Sequence, residues 1–369
     1  MSATRLHERF VRLCEIRSPS GEERGIADAV AAELRGLGLE VTEDGAGKVT
    51  GAGAGNLLAR LPGRGDRWVM FSGHLDTVPH RGGVEVALSD GIYTSAGDTI
   101  LGADDKAAVA VLVELAARHA QSPPQVGVEL LLTVYEERAL GGAKAFDVSS
   151  LRSEAGFVLD HASPIGEVIT SSPSYQRLDA AFEGVEAHAG IRPEDGHSAV
   201  LAAASAVASM ELGRLDEETT ANVGRIEGGT AANVVAGRCR IEAEARSIDP
   251  DRAAAVAGAM ADACARSATE HGCDLDVRIE ELFRGYRTSP SSPALGIAEA
   301  ALRRCGHEPR RVASGGGSDA NAMAAAGFDC VLLANGTEAN HTAEESVPAE
   351  SLDAMLAVCE AILDEAAAC

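Results

Sequence analysis

The chain has few aromatic residues, few basic ones and no long apolar run. Phe, Trp and Tyr make up 3% of 369 residues while the hydrophobic fraction is 46%, so the core must be Ala, Val and Leu. Lys and Arg number 32 against 56 Asp and Glu, a formal net charge of −24. Nucleic-acid binding needs a basic face for the phosphates, so the balance argues against that class of partner. Most of these acids read as a solvated surface. None of the eight Cys lies in a C-x-x-C pair, which argues against a zinc ribbon or a thioredoxin-like site. The stretch MSATRLHERFVRLCEIRSPS holds no apolar run long enough for a signal peptide or a membrane span. Thiols without an export signal point to a reducing cytoplasm. The sequence shows no internal repeat and no disordered tract.

The length is about twice that of one ordinary domain, which predicts two domains or one domain carrying an insertion. Residues 1–37 read as helix, break, helix. The break is SPSGEE (18–23), where Ser20 and Glu23 have capping-box spacing. VTEDGAGKVTGAGAGNLLARLPG suits short strands and turns. WVMFSGHLDTVP opens as a buried strand and breaks at Gly73, and VEVALSDGIYTS is a hairpin turning at Asp90-Gly91. A helix follows over 107–120, then the continuous apolar strand VGVELLLTVY and the short strands AGFVLDHA and EVITSS. Strand, helix, strand with buried strands is an α/β pattern. From about Gln176 the order changes to strand, helix, strand, strand, helix, strand, an independent α+β sandwich, and after SPSSP (289–293) the first style resumes. The reading is a catalytic domain of residues 1–175 and 287–369, with a mixed, mostly parallel sheet, interrupted by an inserted domain of 176–286.

The unusual residues fall where strands end, which is where open α/β sheets bind ligands. His74 and Asp76 follow WVMF, Glu136 and Glu137 follow VELLLTVY, Asp160 follows GFVL, and His341 comes shortly after VLLANG. Asp104 and Asp105 open a helix among apolar neighbours that offer no counter-charge. This donor set of nitrogen and oxygen without thiolate suits zinc, and also cobalt or manganese. Either Asp104 or Asp105 is a candidate to bridge two metals. Of Glu136 and Glu137, one can bind metal while the other takes a proton from water. Alone, an H-x-D is usually a loop, an E-E pair a solvated helix start and a D-D a cap for the helix dipole. Their recurrence at successive strand ends in one chain outweighs those readings.

GHLDTVP (73–79), GADDKAAVA (102–110), YEERALGGAKAF (135–146), EAHAG (186–190), GGTAANVV (228–235), GGGSDAN (315–321) and the His341 region together resemble the dizinc exopeptidase and amidohydrolase family. That family includes peptidase T, carboxypeptidase G and the acetylornithine and succinyl-diaminopimelate deacylases. The resemblance spans essentially the whole chain, and GDTILGADDKAAVA is most similar to the peptidase T-like branch. It implies two zinc ions per subunit, one on His74, Asp104 and Asp160, the other on Asp104, Glu137 and His341, with Asp104 as the bridge. It implies Glu136 as general base, Asp76 as the residue that orients His74, and His188 as a lid histidine that helps polarise the scissile carbonyl, usually delivered from the partner subunit of a dimer. Asn233 and the run Gly315, Gly316, Gly317 and Ser318 are implied to meet substrate. His161, beside Asp160, stands where Gly or Ser is frequent in the family and could compete as a ligand.

The expected activity is metal-dependent hydrolysis of an amide bond in small peptides, by a homodimer paired through the inserted domain. The alternative inside the family is an N-acyl amino acid deacylase or a carboxypeptidase, which would share every catalytic residue. A nucleotide-binding reading of SGGGSDAN fails, because it lacks the Lys and spacing of a P-loop and does not match G-x-G-x-x-G. An inactive interaction protein is disfavoured by an intact ligand set and base.

Overall fold

A computed structural model describes residues 2–368. The protein forms two compact units. The first takes in the described residues up to Ser171, Thr288–Ser314 and those from Ser318 onward; the second is Ser172–Arg287 with Gly315–Gly317.

Four strands of the first unit, Gly127–Thr133, Trp68–His74, Ala155–His161 and Cys330–Ala334, lie side by side in that order and run parallel. Leu57–Leu61 and then Glu40–Glu43 extend one side antiparallel, and Glu167–Ser172 extends the other. This is the mixed, mostly parallel α/β sheet that the strand pattern implied. Gly127–Thr133 is buried at every position, as a strand covered on both faces must be. The helix Ala103–His119 packs on Trp68–His74 and is buried from Ala103 through Ala116, its alanines filling the space that aromatics would otherwise take. Its one central acid, Glu114, is fully buried and accepts from Arg5 at 2.7 Å and Arg9 at 2.6 Å, which neutralise it. Because the four central strands are parallel, their carboxyl ends share one edge, and the loops that follow them converge there.

Three local expectations are corrected. Gly73 does not break its strand, which runs on to His74. A Cβ at Gly73 would come within 2.7 Å of Asp105 Oδ2, so glycine is there for close approach. Ser20 does not cap the next helix: that helix starts at Arg24 with no side-chain cap, and the Ser20 hydroxyl donates to Asp76 at 2.7 Å instead. The stretch read as strands and turns also holds a short helix, Ala46–Thr50, where the Asp44 carboxylate accepts the Ala46 N–H. The hairpin does turn at Asp90-Gly91, both at positive φ (52° and 79°), and pairs with Ser346–Pro348 in a small antiparallel sheet.

The second unit is an antiparallel sheet in the order Gly213–Arg214, Thr219–Gly228, Arg238–Ser247, Ser174–Glu183, Asp274–Phe283. Ser174–Glu183 alternates buried and open positions, and the helices Ala199–Ala208 and Pro250–Glu270 pack on the sheet through an alanine-rich core. Gly315–Gly317, which the sequence reading placed in the 287–369 segment, belong to this unit. Ser172 donates to the Gly316 carbonyl at 2.7 Å, and a Cβ at Gly317 would strike the Phe283 ring at 2.4 Å. Among the described residues the cysteines are free, and no helix is long and apolar enough to cross a membrane.

Candidate active site

His74 ends its strand fully buried, with its Nδ1 2.9 Å from the main-chain carbonyl of Asp76. That contact fixes the ring and leaves Nε2 facing the cluster. Nε2 lies 3.1 Å from Asp104 Oδ1 and 3.7 Å from Asp160 Oδ1. The other oxygen of Asp104, Oδ2, lies 3.0 Å from His341 Nε2, and His341 Nε2 lies 3.1 Å from Glu137 Oε1. Asp104 thus stands between two imidazoles, one oxygen to each. The strand ends bring the five ligand candidates together.

Asp76 does more than the sequence suggested. Its carboxylate accepts the main-chain N–H groups of Glu136 (2.9 Å) and Glu137 (3.2 Å). Through the Asp76 main chain it also holds His74, so one residue ties a ligand to the candidate base. Among the described residues, five of the six non-glycine residues at positive φ, Tyr135, Ala139, Leu140, Ala339 and His341, flank Glu136-Glu137 or lie at His341. Such backbone costs about 1–3 kcal/mol per residue and collects where a site demands a fixed direction.

Electrostatics point the same way. No Lys or Arg among the described residues pairs with Asp76, Asp104, Asp105, Glu136, Glu137 or Asp160; their ion pairs are with His74 and His341. Lys106 turns away and donates to the Ile16 carbonyl at 2.7 Å. Burial opposes charge on Asp104, yet hydrogen bonds from His341 and His74 hold it well below the usual carboxylate range. The bond to Asp104, then that to Glu137, pushes His341 up to about 10. Burial lifts Asp160 to about 7, and burial followed by the Asp160 charge lifts Glu136 well above its ordinary value. The two imidazole nitrogens flank the Asp104 carboxylate where positive charge is needed, and divalent cations on the same atoms would supply that charge.

The donor set fits such cations. Ligand atoms of His74, Asp104 and Glu137, of His74, Glu136 and Asp160, and of Asp104, Asp105 and Asp160 each lie within 4.8 Å of one another. Glu137 Oε1 is buried and meets His341 Nε2 as its ion-pair partner. His161 joins none of these groups.

Of the two acids offered as a bridge, Asp104 meets both imidazoles and Asp105 does not, while Asp319 lay outside the sequence reading. Asp105 faces inward, accepting the His74 N–H (3.2 Å) and the Asn335 amide (3.3 Å). Asp319 accepts from Thr133, and its Oδ1 has no partner. The available signal was an acid inside a glycine-rich or apolar stretch, as in SGGGSDAN. Ser318 is 1% exposed, and its N–H donates to Asn321 Oδ1 at the start of the helix Asp319–Ala325. His188 and Asn233 are exposed on the second unit and sit side by side: the Ala189 N–H donates to the Asn233 carbonyl at 2.9 Å. His188 Nδ1 accepts the Gly190 N–H at 3.2 Å, which places the ring proton of the neutral form on Nε2.

Residues 70–365 match the model of peptidase family M20/M25/M40. The chain belongs to that family. Uncharacterized protein YqjE of Bacillus subtilis strain 168 is 39% identical over 365 residues, 98% of each chain. The structure of aminopeptidase PepT from Bacillus cereus ATCC 10987 is 38% identical, covers 99% of each chain and superposes with a TM-score of 0.91. A tripeptidase structure from Staphylococcus aureus subsp. aureus Mu50 is 33% identical, covering 100% of this chain and 99% of that one, with a TM-score of 0.94. This M20 chain is therefore a metal-dependent hydrolase by family, and its structural neighbours include peptidases of the peptidase T kind.

Proposed function

We propose that this protein hydrolyses the peptide bond of unblocked di- or tripeptides with two divalent cations, zinc by preference and cobalt or manganese as substitutes. The observation that carries the reading is Asp104, whose two oxygens reach His74 Nε2 and His341 Nε2 at 3.1 and 3.0 Å. His74, Asp104 and Asp160 would hold one ion, and Asp104, Glu137 and His341 the other. When bound, the ions supply Lewis acidity toward the carbonyl and lower the pKa of water.

Glu136 takes the proton of the attacking water and hands it to the leaving amine. Burial and the neighbouring Asp160 charge raise its proton affinity above that of an ordinary carboxylate, in the direction a general base needs. His188 donates from Nε2 to the oxygen that becomes negative at the scissile carbon. Asn233 and the Gly315–Ser318 segment contact the peptide. We assign 176–286 the roles of lid and dimerisation domain, and the enzyme to the cytoplasm.

The test is a panel of free and N-acylated di- and tripeptides, assayed with added zinc, cobalt or manganese and after chelation. Chelator-sensitive cleavage of free tripeptides supports the proposal. Cleavage confined to acylated amino acids moves the substrate to the deacylase class while keeping the site. Cleavage that survives chelation overturns the metal reading.

A further inference from the structure

The helix Ala103–His119 has an exceptional beginning. Gly102 stands at its N-cap at φ 73° and offers no side chain, and Asp104 and Asp105 depart from helical φ/ψ. The first N–H groups of a helix have no partner within it and need one from elsewhere. Here they are met from 243 and 241 residues away. Glu345, 1% exposed, accepts the Gly102 N–H on Oε2 at 2.7 Å and the Asp104 N–H on Oε1 at 2.9 Å. Glu345 lies four residues beyond His341, in a loop laced by its own bonds: Thr342 donates to the Ala339 carbonyl at 2.7 Å, and Glu338 bridges Ser346. A single carboxylate therefore clamps the segment carrying Asp104 to the loop carrying His341. His74 and Asp160 come from regular strands, and the His74 main chain is held by Asp105 rather than by Glu345.

We infer that Glu345 is a positioning residue, which ties Asp104 to the loop of His341 and thereby governs the affinity of the ion held by Asp104, Glu137 and His341, both of whose joined segments it braces, more than that of the ion held by His74, Asp104 and Asp160. The inference rests on the dimetal reading above. Gln cannot replace Glu here: its amide NH2 group would face one of the two N–H donors, so one contact is lost and Asp104 shifts. Partners that orient ligands from behind typically carry about 10–100-fold in metal affinity.

The experiment titrates metal-free wild type, Glu345→Gln and Glu345→Asp with zinc by calorimetry, and with cobalt by visible absorption. Glu129→Gln is the control. Glu129 is another buried carboxylate that braces a loop, accepting the Arg152 and Ser153 N–H groups at 2.9 and 3.0 Å, and it belongs to no metal-binding group. Folding of each variant is checked by circular dichroism, and Glu345→Asp keeps the charge, so the test does not depend on one substitution. The expected result is that one of two equivalents binds about 10–100-fold more weakly in the Glu345 variants with an altered cobalt spectrum, while Glu129→Gln matches wild type. Turnover lost in Glu345→Gln should return at saturating metal. Wild-type affinity for both equivalents in the Glu345 variants, or equal weakening in Glu129→Gln, overturns the inference. Absence of binding by wild type overturns the dimetal reading itself.

Discussion

Acidic side chains on the sheet of the second unit meet arginines, whereas those at the strand ends of the first unit meet one another. Asp179 lies 2.9 Å from Arg177 and from Arg240, Glu244 pairs with Arg246, and Glu218 with Arg287, all at least partly open to water. Asp104, Asp105, Asp160, Glu136 and Glu137 are packed together with two histidines and no arginine. The difference lies in partnering. Exposed acid–Arg pairs contribute little and are screened by salt, so they amount to a solvated face. Buried acids without cationic side chains are too costly to keep unless something else supplies positive charge. Glu114 marks the boundary between the two cases, being as buried as the site acids yet fully paired with arginines.

The sharpest way to break this contrast is Glu136→Gln. Turnover should fall by about 10²–10⁴-fold, the usual contribution of a general base, with metal content unchanged by elemental analysis. Retained turnover would remove Glu136 as the base. Asp104→Ala should lower metal affinity by at least about 100-fold in a competition assay, since it removes the carboxylate reaching both imidazoles. Glu114→Gln should act on the fold alone: leaving Arg9 buried and half-paired costs about 3–5 kcal/mol in urea unfolding, with bound metal per folded chain unaltered.

A fourth test uses pH. In the metal-free site His341 is raised to about 10 and Asp160 to about 7, so both hold more protons than ordinary residues near neutrality. Metal must displace those protons. Affinity should therefore rise with pH, about tenfold per unit for each proton displaced, from the region of pH 7 toward 10. Calorimetry in buffers of different ionisation enthalpy should register proton release, and none released would contradict the arrangement. The smallest effect is expected at Arg240→Ala, which should leave both the denaturation midpoint and turnover at wild-type values.

The α/β class was legible because strand burial and helix periodicity are local: VGVELLLT reads as a covered strand and is one. His74, Asp160 and the Glu136-Glu137 pair stood out because each follows an apolar strand, where a charged group needs a reason, but the choice of Asp104 over Asp105 and of Glu137 over Glu136 as candidate ligands came from the family resemblance. Other features act over distances that local pattern does not carry. Glu345 works on main-chain N–H groups some 240 residues away, and Asp105 on one 31 residues away. Gly73 looked like a breaker because nothing nearby in sequence announces the Asp105 carboxylate against it. Ser20 and Glu23 had the spacing of a capping pair, but Asp76 competes for the hydroxyl.

The central claim is that the first unit's buried acids, which have no Lys or Arg partner among the described residues, hold two cations across Asp104. The most direct measurement is diffraction at the zinc absorption edge from crystals of the zinc-loaded protein. The account predicts two anomalous peaks flanking the Asp104 carboxylate, one beside His74 and Asp160 and one beside Glu137 and His341. A single peak away from Asp104, or no peak in the cluster, would contradict it.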